Sequence, residues 1–271
     1  MVCFDGSAIA DPTGYWRGTL VKRFTSGTTF TRTVTPAPMV EDGMIQQLTF
    51  TLGGAPFSVS LAYAVAAGYT GRDQQAVHHH IAELAELGVA PPPHIPMLYP
   101  LMPTLVTNSE AIAVLGGDTT PEVEVAILDS DGNSYLTVAS DHTDRRLEAT
   151  SVPQAKNACP KILGKELWRI EEVSKQWDEL ELKSTCEGIV LQEGTLGMLL
   201  PYAELMRFFD EHAGRRDNRV LLGGTIATNQ VPPKRSGTTI HLSLHDPVLG
   251  RTIEHNYTVQ VLQEFFSDSS R

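Results

Sequence analysis

The alternation of apolar and polar positions is clearest over residues 121–145, PEVEVAILDSDGNSYLTVASDHTDR. Successive side chains of a strand point to opposite faces. In Glu122-Val-Glu124-Val-Ala-Ile-Leu128 the two glutamates therefore share one face, and Val123, Val125 and Ile127 share the other. Residues 129–133 are dense in turn formers, and Asp131-Gly132 is the dipeptide that a two-residue hairpin turn prefers. A turn at that pair sets Glu122 opposite Asp141. Cross-strand partners share a face with Cβ atoms about 5 Å apart, so three carboxylates converge.

The same patterning predicts strands at 45–52 and 57–67 around a Gly53-Gly54 turn. Gly68-Tyr69-Thr70-Gly71-Arg72-Asp73 is a polar, glycine-flanked loop opening a helix over 73–87. There Ala76, Val77, His80, Ile81, Leu84 and Leu87 recur at near-helical spacing, and Gly88 stops the helix. Pro91, Pro92, Pro93 and Pro96 force an extended connection. Residues 168–182 read as a short helix and a strand with Trp168 and Trp177 as packing residues. Residues 192–198 read as a loop and 201–209 as a helix. Residues 220–225 form a buried strand ending in a tight Gly223-Gly224-Thr225 loop, and 239–244 and 252–261 are closing strands. Residues 1–44 have little apolar periodicity and are expected to be an extended or weakly ordered arm, able to wrap a neighbouring subunit. Residues 45–271 are expected to form a single domain, mainly β with short helices (α+β), as a mixed β-roll or sandwich.

Charge narrows the partners. The net charge of −11 and pI of about 5.2 argue against nucleic acid, since phosphate binding needs a basic surface. No basic amphipathic stretch suggests a membrane surface, and no apolar run is long enough to span a bilayer. The N-terminus lacks the basic-then-apolar pattern of a signal peptide. Cys3, Cys159 and Cys186 show no zinc spacing, so a reducing cytoplasm is the default expectation. Cys159 reads as a small buried apolar residue rather than a nucleophile. No solenoid repeat, P-loop, G-x-G-x-x-G or G-x-S-x-G occurs in context.

Like charges placed opposite each other are destabilising, and carboxylates in a partly dry site need a cation or protons. A hard divalent ion, Mg²⁺ or Mn²⁺ with Ca²⁺ as a further option, answers that need with oxygen ligands. The alternative is a solvated strand face, where E-x-E is common. Glu122-Val-Glu124 followed by Asp141-His-Thr143-Asp-Arg145 resembles the metal site of the fumarylacetoacetate hydrolase superfamily, which holds such ions with two glutamates and an aspartate in this order. The resemblance runs from about residue 64 to the C-terminus and is strongest to a branch described only as a domain of unknown function.

That resemblance implies several roles. His80-Ile-Ala-Glu83 matches an H-x-x-E dyad that several members carry as a general base, with His78 and His79 as neighbours of the same type. Lys156 best matches the family lysine that stabilises developing negative charge, and Lys161 is second. Arg72 is the candidate for a bidentate grip on a substrate carboxylate, with Arg145 beside the metal. Gln192 and the Gly224-Thr225 turn match substrate-binding features, although Ile226 stands where the family has proline. The implied function is a metal-dependent enzyme acting on a small oxo-acid or 1,3-dicarbonyl substrate, as a C–C bond hydrolase or decarboxylase. An isomerase or hydratase on the same acids, or a non-catalytic metal-stabilised binding protein, is the alternative. A homodimer is the family-level expectation.

Overall fold

The run Val123 to Leu128 places apolar side chains on both sides of one strand, which requires cover on both faces. In the computed structural model, which describes residues 19–23, 29–33, 45–86, 88–214 and 217–262, this strand has that cover. Val123, Val125 and Ile127 pack with Leu182, Leu244, Ile253 and Tyr257 in one apolar cluster. Ala126 and Leu128 pack with Leu48, Phe50, Val59 and Leu61 in another. Each buried aliphatic side chain contributes about 1.5–3 kcal/mol, so the strand is fixed from both faces.

The strand, Val123–Ser130, lies inside a ten-stranded sheet. Its path runs Ala55–Leu61, Gln46–Leu52, Glu166–Arg169, Asn133–Ser140, Val123–Ser130, Arg219–Leu222, Tyr63–Gly68 and Met97–Leu101, with Lys161–Leu163 joined to Asn133–Ser140 and Val106–Thr107 joined to Lys161–Leu163. A five-stranded sheet runs Ile189–Thr195, Glu181–Cys186, Thr238–Asp246, Arg251–Leu262 and Ala111–Leu115. The architecture is mainly β with short helices, as the patterning predicts.

The hairpin has the expected register. Val123 faces Ser140, Ser130 faces Asn133, and Asp141 N donates to Glu122 O at 3.0 Å. Asp131 and Gly132 have φ of 52° and 72°, the left-handed pair that a two-residue turn of this hand needs. The 57–67 strand is instead two strands. Ala55–Leu61 pairs antiparallel with Gln46–Leu52, whereas Tyr63–Gly68 pairs parallel with Arg219–Leu222. The break at Ala62 coincides with a change from alternating burial to burial at each of Ala64, Val65, Ala66 and Ala67. Residues 192–195, expected in a loop, belong to the strand Ile189–Thr195. The predicted helix spans Gln74–Glu86 and buries only Val77, so its apolar positions largely face outward. The helix Tyr202–Ala213 buries Leu205 and Phe209. Trp168 and Trp177 are buried in the first apolar cluster.

The chain divides into two units, Met1–Met39 and Val40–Arg271. Within the first, Thr19–Arg23 pairs antiparallel with Thr29–Thr33. The rest of the expected 1–44 arm lies outside the described residues.

Candidate metal centre

Glu124 sits on the same strand face as Ala126 and Leu128, two residues before the apolar run takes over. Glu122 and Asp141 close the open end of the hairpin. Carboxylate oxygens of Glu122, Glu124 and Asp141 all lie within 4.8 Å of one another. Glu124 and Asp141 are buried and Glu122 is partly exposed. The solvated-face alternative predicts exposed glutamates pointing apart, and neither holds.

Cations surround the acids. Lys156, brought in by the short helix Val152–Asn157, places Nζ 2.5 Å from Asp141 Oδ2 and 3.2 Å from Glu122 Oε2. Lys161 Nζ lies 2.7 Å from Asp141 Oδ1 and donates to the His142 carbonyl at 2.5 Å. Arg145 Nη2 holds Glu122 Oε1 at 2.9 Å, and its Nη1 holds Glu148 Oε2 at 2.8 Å. Burial pushes the Glu122 carboxyl up, but Lys156 and Arg145 together pull it down further, so it is held below the usual range. Glu124 behaves in the opposite way. Burial, then the Asp141 and Glu122 charges, raise it well above the usual range, against the pull of Lys156 and the Gly224 N–H. Burial lowers Lys156, but Asp141, Glu122 and Glu124 more than reverse this, so it stays charged.

The loop after Arg219–Leu222 closes over Glu124. Gly223 N donates to Val125 O at 3.0 Å, and Gly224 N donates to Glu124 Oε2 at 2.9 Å. Gly224 has φ of +94°, and a Cβ there would come within 2.0 Å of Thr70 Oγ1. Thr70 Oγ1 in turn donates to Gly223 O at 3.0 Å.

The donor set suits a hard divalent ion. All three ligands are oxygens, and one of the enclosed glutamates has a strong tendency to keep a proton unless a cation replaces it. Asp141 Oδ1, fully buried, has Lys161 Nζ at 2.7 Å but accepts no hydrogen bond. These residues can hold a metal ion.

Other expected residues stand elsewhere. The Arg72 guanidinium is closed by Asp178, with Nη1 and Nη2 each 2.8 Å from a carboxylate oxygen, and its Nε donates to Leu199 O. That fork is engaged by protein, where a grip on a substrate carboxylate was expected. His80 Nδ1 lies 3.6 Å from Glu83 and His79 Nε2 lies 3.3 Å from it, on an exposed helix face. Among the described residues, no hydrogen bond or ion pair links that helix to the three acids. Gln192 is buried with its amide engaged by protein. Its Oε1 accepts from Val123 N at 2.8 Å, and its Nε2 donates to Thr225 Oγ1 and Ile226 O, each at 2.8 Å. Thr225 Oγ1 donates to Val123 O at 2.8 Å. Both residues thereby hold the strand start that carries Glu124, where substrate contact was expected. Cys159 is buried, and burial pushes its thiol up to about 11, which fits a packing role.

Three residues at the site escaped the sequence reading. Tyr69 has a left-handed backbone at φ 59°, a conformation uncommon outside glycine. Its phenol is raised by burial and then by the Glu148 charge, with Lys156 and Glu122 also in range. Tyr69 neighbours the buried Tyr99, whose ring lies 5.7 Å from Lys156 Nζ. Glu148 ends the helical turn Arg145–Glu148 and faces Arg145. The glycine-flanked position of Tyr69 was the only signal available for any of them.

None of the curated proteins matches the chain. Solved structures do. Fumarylpyruvate hydrolase from Pseudomonas aeruginosa, in complex with Mn²⁺ and pyruvate, aligns over 80% of this chain and 97% of its own, with TM-score 0.57 and 15% identity. A fumarylacetoacetate hydrolase family protein from yeast aligns over 74% and 94%, with TM-score 0.54 and 15% identity. The 5-carboxymethyl-2-hydroxymuconate delta-isomerase from Mycobacterium smegmatis aligns over 94% and 98%, with TM-score 0.53 and 15% identity. At such identities the likeness shows a shared fold. Residues 67–257 match the model of the family described as protein of unknown function DUF2848, and the chain, carrying the fumarylacetoacetate hydrolase fold, belongs to that family.

Proposed function

We propose that the chain is a divalent-metal-dependent enzyme acting on a small oxo-acid or 1,3-dicarbonyl compound and cleaving a C–C bond next to the oxo group, by hydrolysis or decarboxylation. The observation that carries this reading is the convergence of Glu122, Glu124 and Asp141 within 4.8 Å. A structural neighbour that holds Mn²⁺ and pyruvate, a 2-oxo acid, supports it. A bound Mg²⁺ or Mn²⁺ would supply Lewis-acid polarisation of the substrate's oxo group.

The protein's own groups complete that chemistry. An ammonium has three N–H bonds. Lys156 directs two at Glu122 and Asp141, which leaves one for a substrate oxygen that gains negative charge. Arg145 fixes Glu122 from the other side. Tyr69 is kept neutral by burial and remains a phenol donor at the partly exposed edge. Gly224 N holds one oxygen of Glu124, so that carboxylate cannot rotate away.

Isomerisation on the same acids is the second reading; within the first, one observation favours decarboxylation, which needs no water-activating base, over hydrolysis. The His80–Glu83 pair that would activate water stands on an exposed helix that, among the described residues, makes no hydrogen bond or ion pair to the acids. Beside the acids, Lys156, Arg145 and Tyr69 are donors, and the Glu148 carboxylate is held by Arg145.

The metal claim is tested by calorimetric titration with Mn²⁺. Glu122→Ala and Asp141→Ala are each expected to abolish tight binding. Wild-type affinity in both variants would remove the metal centre and the function built on it.

A further inference from the structure

The charges at the centre say more about the substrate than the three acids alone. The closed side consists of Glu124, Asp141, Lys156 and Lys161, all buried. The partly exposed side consists of Glu122, Tyr69 and Glu148. One guanidinium joins the two carboxylates there: Arg145 holds Glu148 Oε2 at 2.8 Å with Nη1 and Glu122 Oε1 at 2.9 Å with Nη2. Glu148 therefore lies within one guanidinium fork of a proposed metal ligand. Its charge and that of Glu122 both act on the Tyr69 phenol.

Four carboxylates (Glu122, Glu124, Asp141, Glu148) meet three cations (Arg145, Lys156, Lys161), an excess of one negative charge. A divalent ion converts that to an excess of one positive charge, which a single anionic group neutralises. Each of the three cations already holds a protein carboxylate, and Arg72 is closed by Asp178. A second carboxylate on the substrate would arrive beside Glu148, where Arg145 already holds two carboxylates and the one N–H that Lys156 leaves is spent on the reacting oxygen. Like charges in a partly dry site repel strongly. A hydroxyl, amide or amine would instead donate to Glu148 or Tyr69.

We infer that the substrate is a monoanionic oxo-acid, its one carboxylate at the metal end and an uncharged hydrogen-bonding group at the far end, with Glu148 as the residue that excludes dicarboxylates. This rests on the reading of Glu122, Glu124 and Asp141 as a metal centre.

The test uses Mn²⁺-loaded protein and two unreactive 2-oxo-acid mimics, N-oxalylglycine and N-oxalylglycinamide, which differ by one distal charge. Calorimetry is expected to show the amide binding at least about tenfold more tightly. Glu148→Gln, which removes the charge and weakens the hold on Arg145 Nη1, is expected to shrink or invert that preference while Mn²⁺ still binds. Equal or tighter binding of the dianion to wild type overturns the inference and leaves the metal centre standing, as does an unchanged preference in Glu148→Gln. Failure of Mn²⁺ to bind wild type overturns the metal reading and the inference with it, whereas failure of both mimics to bind the Mn²⁺-loaded protein overturns the inference alone.

Discussion

Gly224 shows how much of the centre depends on one missing side chain. Its φ of +94° lies where L residues are strained, and a Cβ would come within 2.0 Å of Thr70 Oγ1 and 3.2 Å of Thr70 Cβ. Thr70 is buried and holds Gly223 O, so it cannot swing aside without losing a bond. Gly224→Ala is therefore expected to lose about 3 kcal/mol or more, combining backbone strain with overpacking. The variant also moves the N–H that holds Glu124, so Mn²⁺ affinity falls with stability. Denaturant unfolding and calorimetry check both. Adding Thr70→Ala relieves the clash but not the strain, so the double variant should recover part of the stability. A single variant as stable as wild type would show that the loop is not packed this way. Gln192 acts at the same scale. Its amide ties Val123 N to Thr225 and Ile226, which fixes the strand start.

The hairpin carries that precision over a distance. Glu124 lies about 25 Å from the turn at about 3.3 Å per residue. Gly132 has φ of 72°, and a Cβ there would meet nothing within 4 Å. Gly132→Ala should therefore cost only the left-handed backbone, about 1–2 kcal/mol by chemical denaturation, with Mn²⁺ affinity unchanged. Deleting Gly132 is a different perturbation. A one-residue slip would turn Asp141 to the opposite face, and metal binding should vanish. This locality explains what the sequence made legible. Alternation plus Asp-Gly determines the hairpin register within 20 residues, so the three acids could be brought together on paper. Lys156 and Arg145 followed from a family pattern. The rest depends on crossovers. Tyr69 precedes the exposed helix, Tyr99 follows the proline-rich passage, and Glu148 needs a single helical turn to face Arg145. No local period encodes those meetings. The Arg72–Asp178 pair spans 106 residues, and nothing in the pattern around Arg72 foretells its partner.

At the scale of the whole molecule, folding buries imidazoles in their uncharged form, and this links stability to pH. His255 is 5% exposed on the strand Arg251–Leu262, with Nε2 3.2 Å from Ser109 O. Burial pushes it down and the Lys165 charge adds to this. The Ser109 carbonyl and Glu110 pull the other way without prevailing. His142, between Tyr257 and Thr119, is pushed down to about 3, first by burial and then by Lys161 and Arg145. An unfolded histidine titrates near about 6.5. Below that pH the unfolded chain takes up protons that the folded chain refuses. The stability from these residues is thus complete above about 6.5 and is lost as pH falls toward their folded values. Glu122, held low, contributes stability that is lost only below the ordinary carboxylate range, whereas Glu124, held high, gains stability as pH falls and opposes the imidazoles, so His255 is isolated by comparing two proteins that share both glutamates. From pH 7.5 to 5.5 the wild-type melting temperature is expected to drop relative to that of His255→Gln, in which Glu124 and His142 are unchanged. His255→Gln keeps a donor for Ser109 O but cannot titrate, so its drop should be smaller, with the His142 share remaining. Equal drops in the two proteins would mean that His255 is charged inside the fold, which its burial and the neighbouring Lys165 oppose.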